Sequence, residues 1–160
     1  MATRGNIMFL DTYDVVELGL NSPEKFMDLT PEQKAEIIGR SQIIYIHWDM
    51  YPSHFLPIAI DFLNLEGAKH RYDDSYYLSA YFVAFYINEI IAKGADLRDL
   101  DDFRSIGIAT DLNDDIEYCY LIVPNFIDDI NMGAPYFNIY TYDGNLRFKN
   151  VNTSDDDYDE

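Results

Sequence analysis

The chain has 160 residues, an apolar fraction of 48% and a formal net charge of −18, with 29 Asp and Glu against 11 Lys and Arg. That length fits one domain with a real hydrophobic core, and the charge argues against direct binding of nucleic acid, free phosphates or anionic membranes. The single cysteine, Cys119, excludes an internal disulfide, and no apolar run approaches the length that spans a bilayer; with no apolar leader at its start, the chain reads as a soluble intracellular protein.

In chain order, Arg4–Leu10 (RGNIMFL) reads as a first strand. Residues Thr12–Leu20 (TYDVVELGL) continue it or form a second short strand. Two helix starts follow. Ser22 precedes Pro23 and Glu24, and Thr30 precedes Pro31, Glu32 and Gln33, which completes a capping box. The second of these helices is expected to end near Gly39. Gln42–Trp48 (QIIYIHW) is β-branched and aromatic and reads as a central strand. A turn over Asp49–Ser53 leads into a helix with Phe55, Ile58, Ala59, Phe62 and Leu63 on one face, with Pro57 confined to its first turn. Ala68–Ser75 reads as a loop.

Tyr76–Lys93 carries the longest helical signal, apolar around most of its circumference until Asn88 and Glu89, so burial on several sides is expected. Gly94 fits the left-handed position that ends a helix. Beyond an acidic connector the pattern turns to β. Residues 106–124 read as a hairpin with a polar loop, and 136–151 as a second hairpin with Asp143-Gly144 as a type I′ turn. The fold class is therefore α+β. An antiparallel or mixed sheet of about five to six strands packs on two to three helices, with the Tyr76–Lys93 helix central. Residues 1–152 form a single globular domain, and 153–160 an acidic disordered tail.

The most chemically loaded stretch is Ser41–Phe55, SQIIYIHWDMYPSHF. Strand alternation would place Tyr45, His47 and Asp49 on one face, with His54 about a helical turn beyond. One reading makes His47 a general base oriented by Asp49; another makes His47, Asp49 and His54 metal ligands. The simpler reading closes a turn with Asp49 and hydrogen-bonds His47 to a neighbouring element. The chain has no nucleophile elbow, phosphate-cradling glycine loop or Cys–His pairing, so no cofactor and no metal is expected.

Thr3, Arg4 and Ile7, followed by Tyr45, His47, Trp48, Asp49, Tyr51 and Pro52, resemble a diffuse family of small proteins encoded by phages and plasmids. That family opens with a Thr-Arg-Ser-x-Ile segment and carries a Tyr-x-His-Trp-Asp-Gly-Tyr-Pro block. The likeness covers about a fifth of the chain. Met50 replaces the pattern's glycine, and Gly5 its serine. The resemblance implies a mobile-element setting, with the cytoplasm of a host cell as its place, rather than a chemistry.

Acidity is uneven along the chain: residues 1–80 carry 12 acidic and 6 basic side chains, and residues 81–160 carry 17 and 5. The excess falls in expected loops. An anti-defence inhibitor could use it to occupy the basic channel of a host nucleic-acid-binding effector, as a nucleic-acid mimic of the anti-CRISPR kind. The partner-binding residues would be Asp99, Asp101, Asp102, Asp114, Asp115, Asp128, Asp129, Asp155, Asp156 and Asp157. The alternatives are a small enzyme or anionic-ligand domain centred on His47 and Asp49, with Arg4 nearby, and an accessory phage protein whose acidity only keeps it soluble.

Overall fold

The computed structural model describes residues 3–96, 98–99, 106–125, 136–143 and 148–152. The elements in chain order are β1 (Gly5–Phe9), α1 (Thr12–Leu18), α2 (Pro23–Met27), α3 (Pro31–Arg40), β2 (Gln42–Ile46), α4 (Pro52–Leu63), α5 (Glu66–His70), α6 (Ser75–Ala92), β3 (Ile106–Ala109), β4 (Tyr118–Pro124), β5 (Phe137–Asp143) and β6 (Phe148–Asn152). The fold is α+β. Among the described residues one sheet forms, of six strands in the order β3-β2-β1-β4-β5-β6. All neighbours are antiparallel except β1 and β4, which run parallel from Gly5 opposite Tyr118 to Phe9 opposite Ile122. The sheet is therefore mixed.

Strand alternation sends two sets of apolar side chains to opposite faces. On one face Ile7, Phe9, Ile44, Ile46, Tyr120, Ile122, Phe137 and Ile139 meet α4, α5 and α6. On the other Met8, Leu10, Ile43, Cys119, Leu121, Val123 and Tyr140 meet α1, α2 and α3. A sheet buried on both faces needs strands with few polar residues, and β1 (GNIMF) is buried along its whole length. Among the described residues, no helix is long and apolar enough to cross a membrane.

Local chemistry explains where the helices start. Thr30 and Gln33 form both bonds of the capping box, and Ser22 accepts from the Lys25 amide ahead of Pro23. The segment Thr12–Leu18 is helical, which corrects the strand expected there. The Asp11 carboxylate caps the Tyr13 amide, and Gly19 closes the turn at φ 61°. These two ends outweigh the β preference of Val15 and Val16. The buried Asp14 carboxylate of α1, 1% exposed, receives a bidentate bond from Arg40 at the end of α3 and so ties α1 to α3. Glu66–His70 is also helical rather than loop, so six helices are present among the described residues instead of two to three. Helix α4 begins at Pro52, and Pro57 therefore falls in its second turn.

Helix α6 lies over β1 and β2, a central place, but its burial is one-sided. Only Ser75, Leu78, Phe82 and Tyr86 are buried, spaced three and four apart, while Tyr76, Tyr77 and Tyr81 face outward. Phe82 touches Phe9, Phe55, Phe62 and Tyr86 with ring centroids 5.4 to 6.0 Å apart. The helix ends in a Schellman motif: Gly94 (φ 103°) donates to Ile91 and Ala95 donates to Ile90, both at 2.9 Å.

Two pairing expectations change. Residues 106–124 are not a hairpin, because β3 pairs with β2 at the sheet edge while β4 pairs with β1 and β5. A hairpin at β5 and β6 is present, but its last pair, Tyr142 with Phe148, is too far along the chain for a two-residue type I′ loop at Asp143-Gly144. Residues 144–147 and the tail 153–160 lie outside the described residues.

A Cβ on Gly5 would meet Met50 Cβ at 3.0 Å, Met50 Cε at 3.1 Å and the Tyr118 carbonyl at 3.1 Å. Gly5→Ala is expected to destabilise the fold by about 1–3 kcal/mol, the range for overpacking. In a Met50→Gly background the same change should cost less, and a urea double-mutant cycle measures the difference. Alkali provides a second check. Burial holds the Tyr120 hydroxyl well above its ordinary range and pushes Tyr86, Tyr140 and the Cys119 thiol up to about 12. In the unfolded chain these groups lose protons near ~10 and ~8.5. Above those values the unfolded state holds fewer protons than the native state. The stability they contribute is thus full below about pH 8.5 and is lost as pH rises toward ~12. Urea midpoints should therefore fall steadily between about pH 9 and 11.

Candidate functional site

The strands β1 and β2 and the start of β4 converge at one end of the sheet, where Gly5 sits opposite Ile46 on one side and Tyr118 on the other. The segment 110–117, which links β3 to β4, crosses the sheet face there as a strap. It is fastened at its middle. Asn6, fully buried within β1, donates to Asn113 Oδ1 at 2.9 Å and accepts from the Asn113 amide at 2.8 Å. The Asn6 side-chain amide also reaches the Ile44 carbonyl at 3.3 Å. Leu112 and Ile116 of the strap pack against the apolar cluster beneath.

Two of the strap's carboxylates, Asp115 and Glu117, are held by neighbouring elements. Glu117 accepts from the Arg4 amide, and its own amide donates to the Arg4 carbonyl at 2.9 Å. Asp115 Oδ2 lies 3.3 Å from Arg4 Nε, although the N–H does not point at it, so the contact is an ion pair without a hydrogen bond. The Tyr45 hydroxyl donates to Asp115 at 3.3 Å and shares a proton with His47 Nδ1 at 2.9 Å. That hydroxyl has one proton. When it goes to Asp115, His47 Nδ1 must carry a hydrogen to complete the second bond; when it goes to His47, the imidazole is the Nε2–H tautomer. Burial, then the charge of Asp115, raises the Tyr45 hydroxyl above its usual range.

The expected alignment of Tyr45, His47 and Asp49 does not form. Strand β2 ends at Ile46, and Asp49 adopts φ 59°, which turns it off the strand line. Among the described residues no hydrogen bond or ion pair joins His47 to Asp49. His47 belongs to Tyr45 and packs its ring edge-on against Trp48, at 4.8 Å between centroids. Asp49 instead lines a cleft of about 380 Å³ with His54, Tyr86, Glu89 and Lys93. No trio of His, Cys, Asp or Glu among the described residues is placed to hold a metal ion.

The acidic positions read from the sequence fall into three groups. Asp114 and Asp115 sit on the strap, Asp114 exposed and Asp115 tied to Arg4 and Tyr45. Asp99 is exposed beyond α6, its amide bonded to the Asp96 carbonyl at 2.9 Å. Asp101, Asp102, Asp128, Asp129, Asp155, Asp156 and Asp157 lie outside the described residues. The roles of Asn6, Asn113, Tyr86 and Glu89 were not legible beforehand. The signals were present: a lone polar side chain inside an apolar strand, and a polar break at Asn88-Glu89 in an apolar helix.

Replacing Asn6 by Ala would orphan both Asn113 groups that it satisfies. A loss of about 1–3 kcal/mol is expected, together with faster hydrogen exchange at the Asn113 and Glu117 amides than at the β4 amides beyond them. Comparison with protein-family models, with curated proteins and with solved structures finds no match for this chain.

Proposed function

We propose that this protein is a binding inhibitor. It engages a basic, nucleic-acid-binding protein of a host cell through carboxylates presented where a nucleic acid would present phosphates. The observation that carries the reading is a net charge of −18 joined to an acidic strap that Asn6 fixes to the sheet at Asn113, with Asp115 and Glu117 held against Arg4. Ordered carboxylates lose little side-chain entropy on binding, and so favour association more than flexible ones do. Asp111, Asp114, Asp115 and Glu117 follow one another along the strap and give it a single sign of charge, unbroken by Lys or Arg. A surface of this sign steers a basic partner into encounter.

The resemblance of the Thr3–Ile7 and Tyr45–Pro52 segments to phage and plasmid proteins supports a mobile-element origin. It makes a defence effector of the CRISPR or restriction type the favoured target class. An enzyme centred on His47 and Asp49 has less support, because the two side chains address different neighbours.

Binding to purified effectors should weaken at least about tenfold between 0.1 and 0.5 M salt. The double variant Asp99→Lys/Asp114→Lys, whose side chains are exposed, should weaken it by about the same factor while the fold persists. Affinity that is flat across salt would remove the mimic reading.

A further inference from the structure

The cleft between α4 and α6 is independent of the strap and lies on the opposite face of the sheet. Its floor and walls are Ile58, Ile90 and Ala95, and Asp49, His54, Tyr86, Glu89 and Lys93 supply its polar groups. Tyr86 is 7% exposed, yet among the described residues its hydroxyl makes no hydrogen bond. The ring is buried while the hydroxyl oxygen itself stays open to the cleft, where a guest can meet it. Burial, then the charge of Asp49, pushes that hydroxyl up to about 12, so it stays a neutral phenol that can both donate and accept.

Three features give the cleft its sign. Asp49 and Glu89 bring two carboxylates, and among the described residues neither has a cation within ion-pair distance. The C-terminal turn of α6, closing at Gly94 and Ala95, adds the negative end of an 18-residue helix. Lys93 opposes them at the rim, on a long flexible stem. A bare metal ion does not fit this set, since no trio of donors among the described residues can close on one. The guest must span the separated acceptors and also have an apolar stem for Ile58 and Ile90.

We propose that the cleft binds an alkyl guanidinium group, with Asp49 and Glu89 as charge partners and the Tyr86 hydroxyl as a further acceptor. A guanidinium presents a planar fork of N–H donors, always charged and weakly hydrated, and can reach several acceptors at once. A compact ammonium reaches fewer of them. The group can come from an arginine side chain of a protein or from a free small molecule. The binding chemistry is shared by both sources and rests on the cleft alone, so it stands or falls separately from the role of the strap.

The test is an amide NMR titration of the full chain, following Gly94 and Ala95. The probes are agmatine, a blocked Ala-Arg-Ala tripeptide and the blocked citrulline tripeptide, whose side chain is a neutral isostere. The guanidinium probes should shift both amides, saturating near the millimolar range expected of one small group. Tripeptide binding at least as tight as agmatine assigns the site to protein side chains; binding of agmatine alone assigns it to a small molecule. Asp49→Asn, which tolerates the left-handed backbone, should weaken binding about fivefold, as should Glu89→Gln. Tyr86→Phe should weaken it about threefold, and Lys93→Ala should tighten it. Equal shifts with the citrulline probe, or no shift with either guanidinium probe at about 50 mM, would overturn the proposal.

Discussion

The parallel pairing of β1 with β4 is the constraint from which much of this molecule follows. Parallel neighbours cannot be joined by a tight turn. Strand β3 also runs in the same direction, because it is antiparallel to β2, which is antiparallel to β1. The chain therefore leaves β3 at one end of the sheet and must enter β4 at the other. It has to cross three strand spacings, roughly 14 Å, and return along the strand direction. Residues 110–117 have one route that satisfies this, diagonally over the sheet face. Such a crossing would bury backbone polar groups beside an apolar sheet unless they found partners. Asn6 supplies them at the midpoint, and the exchange with Asn113 is the cheapest way to satisfy a polar strand residue and a strap amide together.

The turn at Asp49 applies a similar economy to the other face. Met50 is buried, its amide donates to the Thr3 carbonyl at 3.1 Å, and its carbonyl accepts from the buried Tyr120 hydroxyl. Its side chain lies against Gly5, where a Cβ would collide. Gly5 and Met50 thus touch each other: a small residue at one position makes room for a large one at the other. The left-handed backbone that a glycine at 50 would invite falls instead on Asp49, a residue that tolerates it better than most. That conformation also sends the Asp49 carboxylate away from His47 and into the cleft of Tyr86 and Glu89.

What was legible in the sequence was chemistry that acts over a few residues. Thr30–Gln33, Ser22-Pro23 and Gly94 each fix a helix end by bonds to their own neighbours, and each is found where expected. The pairing of β5 with β6 also followed from pattern. The placement of β3 did not. Its Gly-containing tetrapeptide says nothing about which strand it joins, and the hairpin with β4 looked nearer than β2, whose sequence lies more than fifty residues away. Helix α1 was hidden because Val15 and Val16 read as strand, while the deciding residues, Asp11 and Gly19, stand outside the run. The His47–Asp49 dyad failed on one torsion angle, which no alternation rule contains.

The stretch Tyr45–Tyr51 then acquires a role that neither an active site nor a plain turn describes. It is the divide between two acidic features at one end of the sheet. On one side Tyr45 and His47 lean on the strap through Asp115 and Arg4. On the other, Asp49 opens the cleft beneath α6. Trp48, about half exposed and braced edge-on by His47, stands on the rim between them. Aromatic side chains placed this way lose little entropy on contact and bury much area, as in the anchors of protein interfaces. The strap and the turn are fastened to the same short segment: Arg4 and Asn6 bond Glu117 and Asn113, and the Thr3 carbonyl accepts from the Met50 amide. The order of the chain from Thr3 to Asn6 thus ties the position of the strap to that of the turn that carries Trp48 and Asp49.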